Sequence, residues 1–335
     1  MEEIIEKIRE TAKKLFEEKK IDVFIGYSEG TLPLRATPCF ITEPDNIEKL
    51  VWNSFCHNNL AVYLPRFFPV IPAKLREKTK PPRVGILAKG CDCRSIVGLI
   101  KEHQIPRENV CIIGIPCEGM IDIEKIRDKG SKMGEVEIVE ASEKGNKITV
   151  IDENEKKMEF KKEDLLADAC LSCQHTTPPV YDILIGEKKV NEKKTAEEKQ
   201  FVEFEKKTAQ ERWEYFEEQA SKCIRCYACR EACPNCYCKE CFAETTKPKW
   251  IGITTNISDV MFFQIGRIFH QAGRCVDCGA CVRACPMNID LRMFTYKLVK
   301  DVKELFGYQA GVSLEEIEPL ATFKPDDRQE FITEP

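Results

Sequence analysis

Two stretches, Cys223 to Pro234 (CIRCYACREACP) and Cys275 to Pro286 (CVDCGACVRACP), constrain this chain more than anything else in it. Each sets three cysteines at three-residue intervals, a fourth four residues later, and a proline directly after. That is the run that wraps a cubane 4Fe-4S cluster. In two-cluster ferredoxins the fourth cysteine of each run ligates the other cluster. The spacing therefore assigns Cys223, Cys226, Cys229 and Cys285 to one 4Fe-4S cluster, and Cys275, Cys278, Cys281 and Cys233 to a second. Two clusters interlocked in this way are built to pass electrons.

Zinc is the bland alternative, because C-x-x-C is also a zinc knuckle and a zinc-binding structural protein would carry it. Zinc, however, is satisfied by four ligands and has no need of a third evenly spaced cysteine or a C-P. A disulfide framework is a poor fit: the cysteines number nineteen, an odd count, and no export signal is visible at MEEIIEKIRE. Three more cysteines, Cys236, Cys238 and Cys241, follow closely in CPNCYCKEC. They read either as a further metal site or substitute ligands, or as unligated buried thiols.

The chain has 335 residues, 43% hydrophobic and 32% charged, an ordinary composition for two or three globular domains. Net charge is -5, with Lys and Glu interspersed, so the basic footprint of a nucleic-acid binder is missing. No run reaches the length of a membrane span. The expected compartment is the cytoplasm, and oxygen-sensitive cubanes suit an anaerobic organism.

Along the chain, Ile4, Ile8, Ala12 and Leu15 predict an amphipathic helix over residues 3–18, and IDVFIGY (21–27) a strand. RVGILA (83–88), a glycine-containing turn KGCDC (89–93), a helix over 94–104 and NVCIIGI (109–115) predict a β-α-β unit with a parallel strand pair. Ligands in such sheets bind beyond the carboxyl ends of the strands. Cys91 and Cys93 follow the first strand end and Cys117 the second. Lys89, Gly90 and Arg94 surround a helix N-terminus, where a phosphate or diphosphate could be held. A solvated Lys and an ion-paired Arg are the rival reading.

Residues 135–161 predict a β-hairpin appendage, and YDILIG one more strand. Before it, Cys170 and Cys173 form a C-x-x-C that could be a redox pair, half a zinc site or half a cluster site. With Cys91 and Cys117 they make four thiols that a fold could gather, which leaves a third 4Fe-4S cluster open. Cys39, Cys56 and Cys111 read as small buried hydrophobes.

The expected organisation is an α/β domain over 1–187, a charged linker and connecting helix over 188–222, a mostly helical two-cluster ferredoxin domain over 223–312 and a polar tail over 313–335. Ala209, Trp213, Phe216 and Ala220 predict the connecting helix, with this stripe as core. Met261, Ile265, Ile268, Phe269 and Ala272 predict a helix over 256–272 that stops at Gly273.

RVGILAKGCDCRSIV, IIGIPCEGMID and CLSCQHTTPPVYDILIGE resemble the core of the beta subunits of deazaflavin-coenzyme-dependent hydrogenases and formate dehydrogenases, over about residues 20–186. Residues 200–305 are similar to the α-helical ferredoxin domains of heterodisulfide reductase small subunits. The first resemblance implies a flavin, usually FAD, beside a 4Fe-4S cluster held by Cys117, Cys170 and Cys173, with Cys91 or Cys93 completing the set. It departs from the family at Gln174 and His175, where an acidic residue is common. Together these features describe an iron-sulfur electron-transfer subunit partnered by catalytic or electron-bifurcating redox subunits of a hydrogenase, formate dehydrogenase or heterodisulfide-reductase-like complex. The alternative is a flavin-containing dehydrogenase subunit exchanging hydride with a deazaflavin or NAD(P).

Overall fold

The computed structural model describes residues 2–69, 80–131, 137–188, 196–319, 322 and 325. The stretch 189–195 of the expected linker, residues 135–136 of the expected hairpin and most of the expected tail lie outside them. The chain opens with helix α1 (Glu2–Glu17), whose buried residues Ile8, Ala12 and Leu15 recur at helical spacing. Strands β1 (Val23–Glu29) and β2 (Ala36–Ile41) follow as an antiparallel pair. Next come β3 (Val84–Ala88), α2 (Gly90–Lys101), β4 (Val110–Gly114) and α3 (Ile123–Ser131).

Strands β5 (Ile138–Lys144), β6 (Lys147–Asp152) and β7 (Lys157–Lys161) form a small antiparallel sheet of their own. Its Ile148 and Val150 are buried with Ile121, Ile126 and Leu165. Helix α4 (Asp168–Leu171) and the two-residue strand β8 (Ile183–Leu184) complete this half.

The main sheet runs β2-β1-β3-β4-β8, parallel throughout except for the β2 edge. Every residue of β3 is buried. That explains why VGILA shows no polar alternation: a strand covered on both faces has no solvent side. The antiparallel edge strand β2 was not apparent from the sequence, since Pro38 and the polar residues around it blur the pattern.

KGCDC is not a turn but the start of α2. Lys89 N donates to the Asp92 carboxylate at 2.9 Å and Lys89 O accepts from Cys93 N at 2.8 Å, so the helix is capped at Lys89 and begins at Gly90. This places Cys91 and Arg94 on the first turn of a helix at the carboxyl end of a parallel strand.

The C-terminal half is helical: α5 (Ala196–Lys206), α6 (Ala209–Ser221), α7 (Ala228–Glu231), α8 (Ile257–His270), α9 (Ala280–Arg283) and α10 (Arg292–Phe306). The expected single connecting helix is two. Thr208 Oγ1 accepts from Glu211 N at 3.2 Å while Thr208 N donates to Glu211 Oε2 at 2.7 Å, a capping box that starts a second helix. Of the predicted stripe, Phe216 and Ala220 are buried, but Trp213 is 47% exposed. Phe269 on α8 likewise faces out.

The two halves are packed together through α2. Arg94 donates to Ala310 O at 2.9 Å and to Val276 O at 3.0 Å. Gly311 (φ +73°) lies against the Arg94 backbone so closely that a Cβ there would stand 2.0 Å from Arg94 O. Arg274 and Glu102 add an ion pair at 2.8 Å. Among the described residues, no helix is long and apolar enough to cross a membrane.

Candidate metal centres

The two cysteine runs share one backbone trace. Arg225 (φ +53°) and Tyr227 (φ +60°) are left-handed in the first, and Asp277 (φ +55°) and Gly279 (φ +67°) are left-handed at the matching positions of the second. Each bend curls the chain back on its leading sulfur: Arg225 N donates to Cys223 Sγ at 3.4 Å and Asp277 N to Cys275 Sγ at 3.3 Å. A single helical turn, α7 or α9, then carries the third cysteine. Left-handed conformations cost side-chain-bearing residues of order 1 kcal/mol or more, so three of them in these wraps mark a conformation held for a purpose.

Cys223, Cys226, Cys229 and Cys285 line one small pocket, together with Cys281, Phe263 and Arg267. Cys278 is electrostatically coupled to Cys233 and Cys281, and Cys275 to Cys278 and Cys281. Burial pushes the Cys229 thiol up to about 11 and Cys278 up to about 12. Thiolates at such depth need a cationic partner, which ligated iron supplies.

A larger cavity of about 900 Å³ opens between the halves, lined by Cys91, Cys117, Cys170 and Cys173, and by Cys278 from the second run. Cys91 comes from the first turn of α2, Cys117 from the loop after β4, Cys170 from α4 and Cys173 from just beyond it. Backbone N–H groups point at these sulfurs too: Gly119 N lies 3.4 Å from Cys117 Sγ and Met120 N 3.4 Å from Cys170 Sγ. Cys93 turns the other way and donates to Val180 O at 2.9 Å. Between Cys91 and Cys93, it is Cys91 that reaches the cavity.

Lys89, Gly90 and Arg94 also border this cavity, with internal partners. Lys89 Nζ is buried, 2.9 Å from Asp92 Oδ2, and donates to the Cys56 and Asn58 carbonyls and to the Tyr27 hydroxyl. Gly90 is covered by the His175 carbonyl, which a Cβ would approach to 1.7 Å. Arg94 ties the halves together, yet its Nη2 is buried without a hydrogen-bond partner. Arg267 Nε, beside Cys229, Cys281, Cys233 and Cys236, is in the same state.

Buried guanidinium nitrogens with no acceptor are costly unless an anion completes them. A cubane with four thiolates is such an anion, and the residues fit it. Among the described residues, no three His, Cys, Asp or Glu converge to hold a single metal ion.

The three extra cysteines do not line either cavity, although Cys236 and Cys241 stand next to residues that line the first-run pocket. Cys236 Sγ accepts from Gln271 Nε2 at 3.5 Å, on the carboxamide whose oxygen takes the Cys233 thiol at 3.7 Å. Cys238 is exposed, and Cys241 packs with Tyr227, Cys229 and Phe242. Cys56 is fully buried, while Cys39 and Cys111 are partly so. Sequence reasoning missed Arg267, Arg283 and Asp277. Each has a signal in hindsight: a charge on an otherwise apolar helix, or a charge between ligand positions.

An α/β sheet whose strand ends present thiols, joined to a helical double cysteine wrap, defines an iron-sulfur electron-transfer subunit of an oxidoreductase complex. Residues 82–235 match the family described as the C terminus of the coenzyme F420 hydrogenase/dehydrogenase beta subunit, and residues 269–289 match the 4Fe-4S binding domain. The chain is thus similar to that beta-subunit family over one segment and to a 4Fe-4S binding domain over another. It is 25% identical to the F420-dependent formate dehydrogenase subunit beta of Methanocaldococcus jannaschii, covering 90% of each chain. It is also 25% identical to the F420-dependent formate dehydrogenase 1 subunit beta of Methanococcus maripaludis, covering 90% of this chain and 89% of the relative. The F420-reducing [NiFe] hydrogenase complex of Methanosarcina barkeri matches at 16% identity and a TM-score of 0.35, over 52% of this chain and 62% of that one. That score is too low to bear on the fold.

Proposed function

We propose that this chain is the beta subunit of an F420-dependent formate dehydrogenase or a sister hydrogenase, holding three 4Fe-4S clusters and a flavin and docking on a catalytic redox subunit. The observation that carries this reading is the row of thiols: cavity cysteines, second-run cysteines and first-run cysteines follow one another through the molecule, with Cys278 on the cavity wall. The formate dehydrogenase relatives, aligned over nine-tenths of this chain, supply the substrate class.

In this reading Cys91, Cys117, Cys170 and Cys173 hold the cavity cluster, Cys275, Cys278, Cys281 and Cys233 the second, and Cys223, Cys226, Cys229 and Cys285 the third. The clusters, when bound, carry single electrons, and a flavin beside them converts these to hydride chemistry. The cavity falls in the size range of cofactor sites, which supports a flavin there. Lys303 gives its wall a cation for a diphosphate, Lys162 and Lys300 being paired with Glu143 at 2.9 Å and Glu205 at 2.8 Å, and Phe201 and Tyr296 line the same wall.

Anoxically purified chain should contain about twelve iron and about twelve sulfide per molecule. Acid extraction should release one flavin. Zinc without acid-labile sulfide would end the cluster assignment, and iron without flavin would reduce the chain to a conductor for its partner.

A further inference from the structure

We propose that Arg283 is a positioning residue that sets the reduction potentials of the cavity cluster and the second cluster together, as one cation shared between them. The inference rests on the cluster assignment above. Arg283 is the last residue of α9, inside the second cysteine run, and its side chain lines the cavity with Cys91, Cys117, Cys170 and Cys278. Its Nη1 donates to Cys278 O at 2.9 Å within the run, and its Nη2 crosses to His57 O at 3.1 Å in the N-terminal half. The guanidinium is thereby pinned at both ends by neutral carbonyls.

The acidic groups that act on it are the thiols of Cys170, Cys278, Cys91 and Cys281, which belong to both proposed clusters. The carboxylate that feels its charge, Asp277, is already engaged by Arg292, through Nε at 2.8 Å and Nη2 at 2.7 Å. A buried cation with no carboxylate of its own is stable only beside other negative charge. Net charge and hydrogen bonding are the levers by which a protein tunes a cubane. Each added electron makes a cluster more negative, so a fixed neighbouring cation favours the reduced form. Since the same guanidinium faces both clusters, it raises both potentials together. The first-run cluster is outside this effect, because none of its proposed ligands Cys223, Cys226, Cys229 and Cys285 is among the thiols that act on Arg283.

The test is a redox titration followed by electron paramagnetic resonance on anoxically purified full-length protein: wild type, Arg283→Gln and Arg283→Lys, with iron and sulfide measured on each. In Arg283→Gln, with iron content unchanged, two of the three signals should move to more negative potential. The expected change is about tenfold in the reduced-to-oxidised ratio at the wild-type midpoint, which is about 59 mV for a one-electron couple. Arg283→Lys should stay near wild type, and the first-run signal should not move.

Full iron with unmoved midpoints in Arg283→Gln would overturn the proposal. So would a shift in Arg283→Lys as large as in Arg283→Gln, because the charge would then be irrelevant. If Arg283→Gln loses iron, Arg283→Lys decides: full iron with wild-type midpoints supports a required charge, whereas loss of iron there too makes the residue structural and sinks the idea. Wild-type protein without sulfide would instead refute the cluster assignment itself.

Discussion

The paired cysteine runs and the cavity cysteines present thiols by opposite means. In each run the four cysteines lie within eleven consecutive residues, Cys223 to Cys233 and Cys275 to Cys285, with left-handed bends at Arg225, Tyr227, Asp277 and Gly279. The wrap is local, and only the fourth cysteine depends on a distant segment. The cavity set is the reverse. Cys91 depends on the cap that starts α2, Cys117 on the end of β4, and Cys170 and Cys173 on the short helix α4, so the site is gathered from three separate stretches of chain. A local wrap tolerates damage to the sheet, whereas a site assembled from strand ends does not.

The sharpest way to break this contrast is to remove one cavity ligand. Cys170→Ser should cost about four of about twelve irons and one paramagnetic signal, leaving the two ferredoxin-type signals intact. Unchanged iron in that variant would show that the cavity thiols ligate nothing. Gly90→Ala probes the same site through the backbone. Its Cβ would meet the His175 carbonyl at 1.7 Å, which no side-chain motion relieves. A loss of about 3 kcal/mol or more in denaturant unfolding is expected, with iron lost from the cavity before the runs.

Asp92→Asn should cost about 3 to 5 kcal/mol, because it leaves Lys89 as a buried charge without its counterion. Combining Asp92→Asn with Lys89→Met, which removes the charge but keeps an acceptor for Lys89 N and Leu60 N, should cost less. That double variant separates the charge penalty from any direct role of the pair in the cavity.

The smallest effect is expected far from both regions, at Asp22 and Arg83. Hydrogen bonding to Arg83 holds the Asp22 carboxyl at about 2, below its usual 3.8. The native state therefore binds the proton less readily than the unfolded chain. The pair's stabilisation is present above about pH 4 and is lost as pH falls towards 2. Both side chains are more than a third exposed, so Asp22→Asn should cost less than about 1 kcal/mol at neutral pH and only a small part of that at pH 2. Thermal unfolding at the two pH values checks it; an equal loss at both would mean the carboxylate charge is not the cause.

Much of this architecture was legible beforehand. The apolar run of β3, the stripe of α1 and the strand pair around α2 follow from periodicity, since burial on one face or two leaves its mark on consecutive residues. The break between α5 and α6 was also written, as Thr208 and Glu211, just ahead of the stripe that begins at Ala209. Residues 82–235, the segment similar to the beta-subunit family, run from the parallel strands into the first cysteine run.

Sequence by itself determined the two wraps, because ligand spacing and the bends that serve it are properties of a dozen adjacent residues. Only the tertiary structure decided between Cys91 and Cys93. Two positions apart on a helix, they point roughly 200° away from each other, and which one meets the cavity depends on what packs against α2. The same holds for Arg283 and its bond to His57 O: the charge stands out between the cysteines of its run, but neither segment names the distant partner.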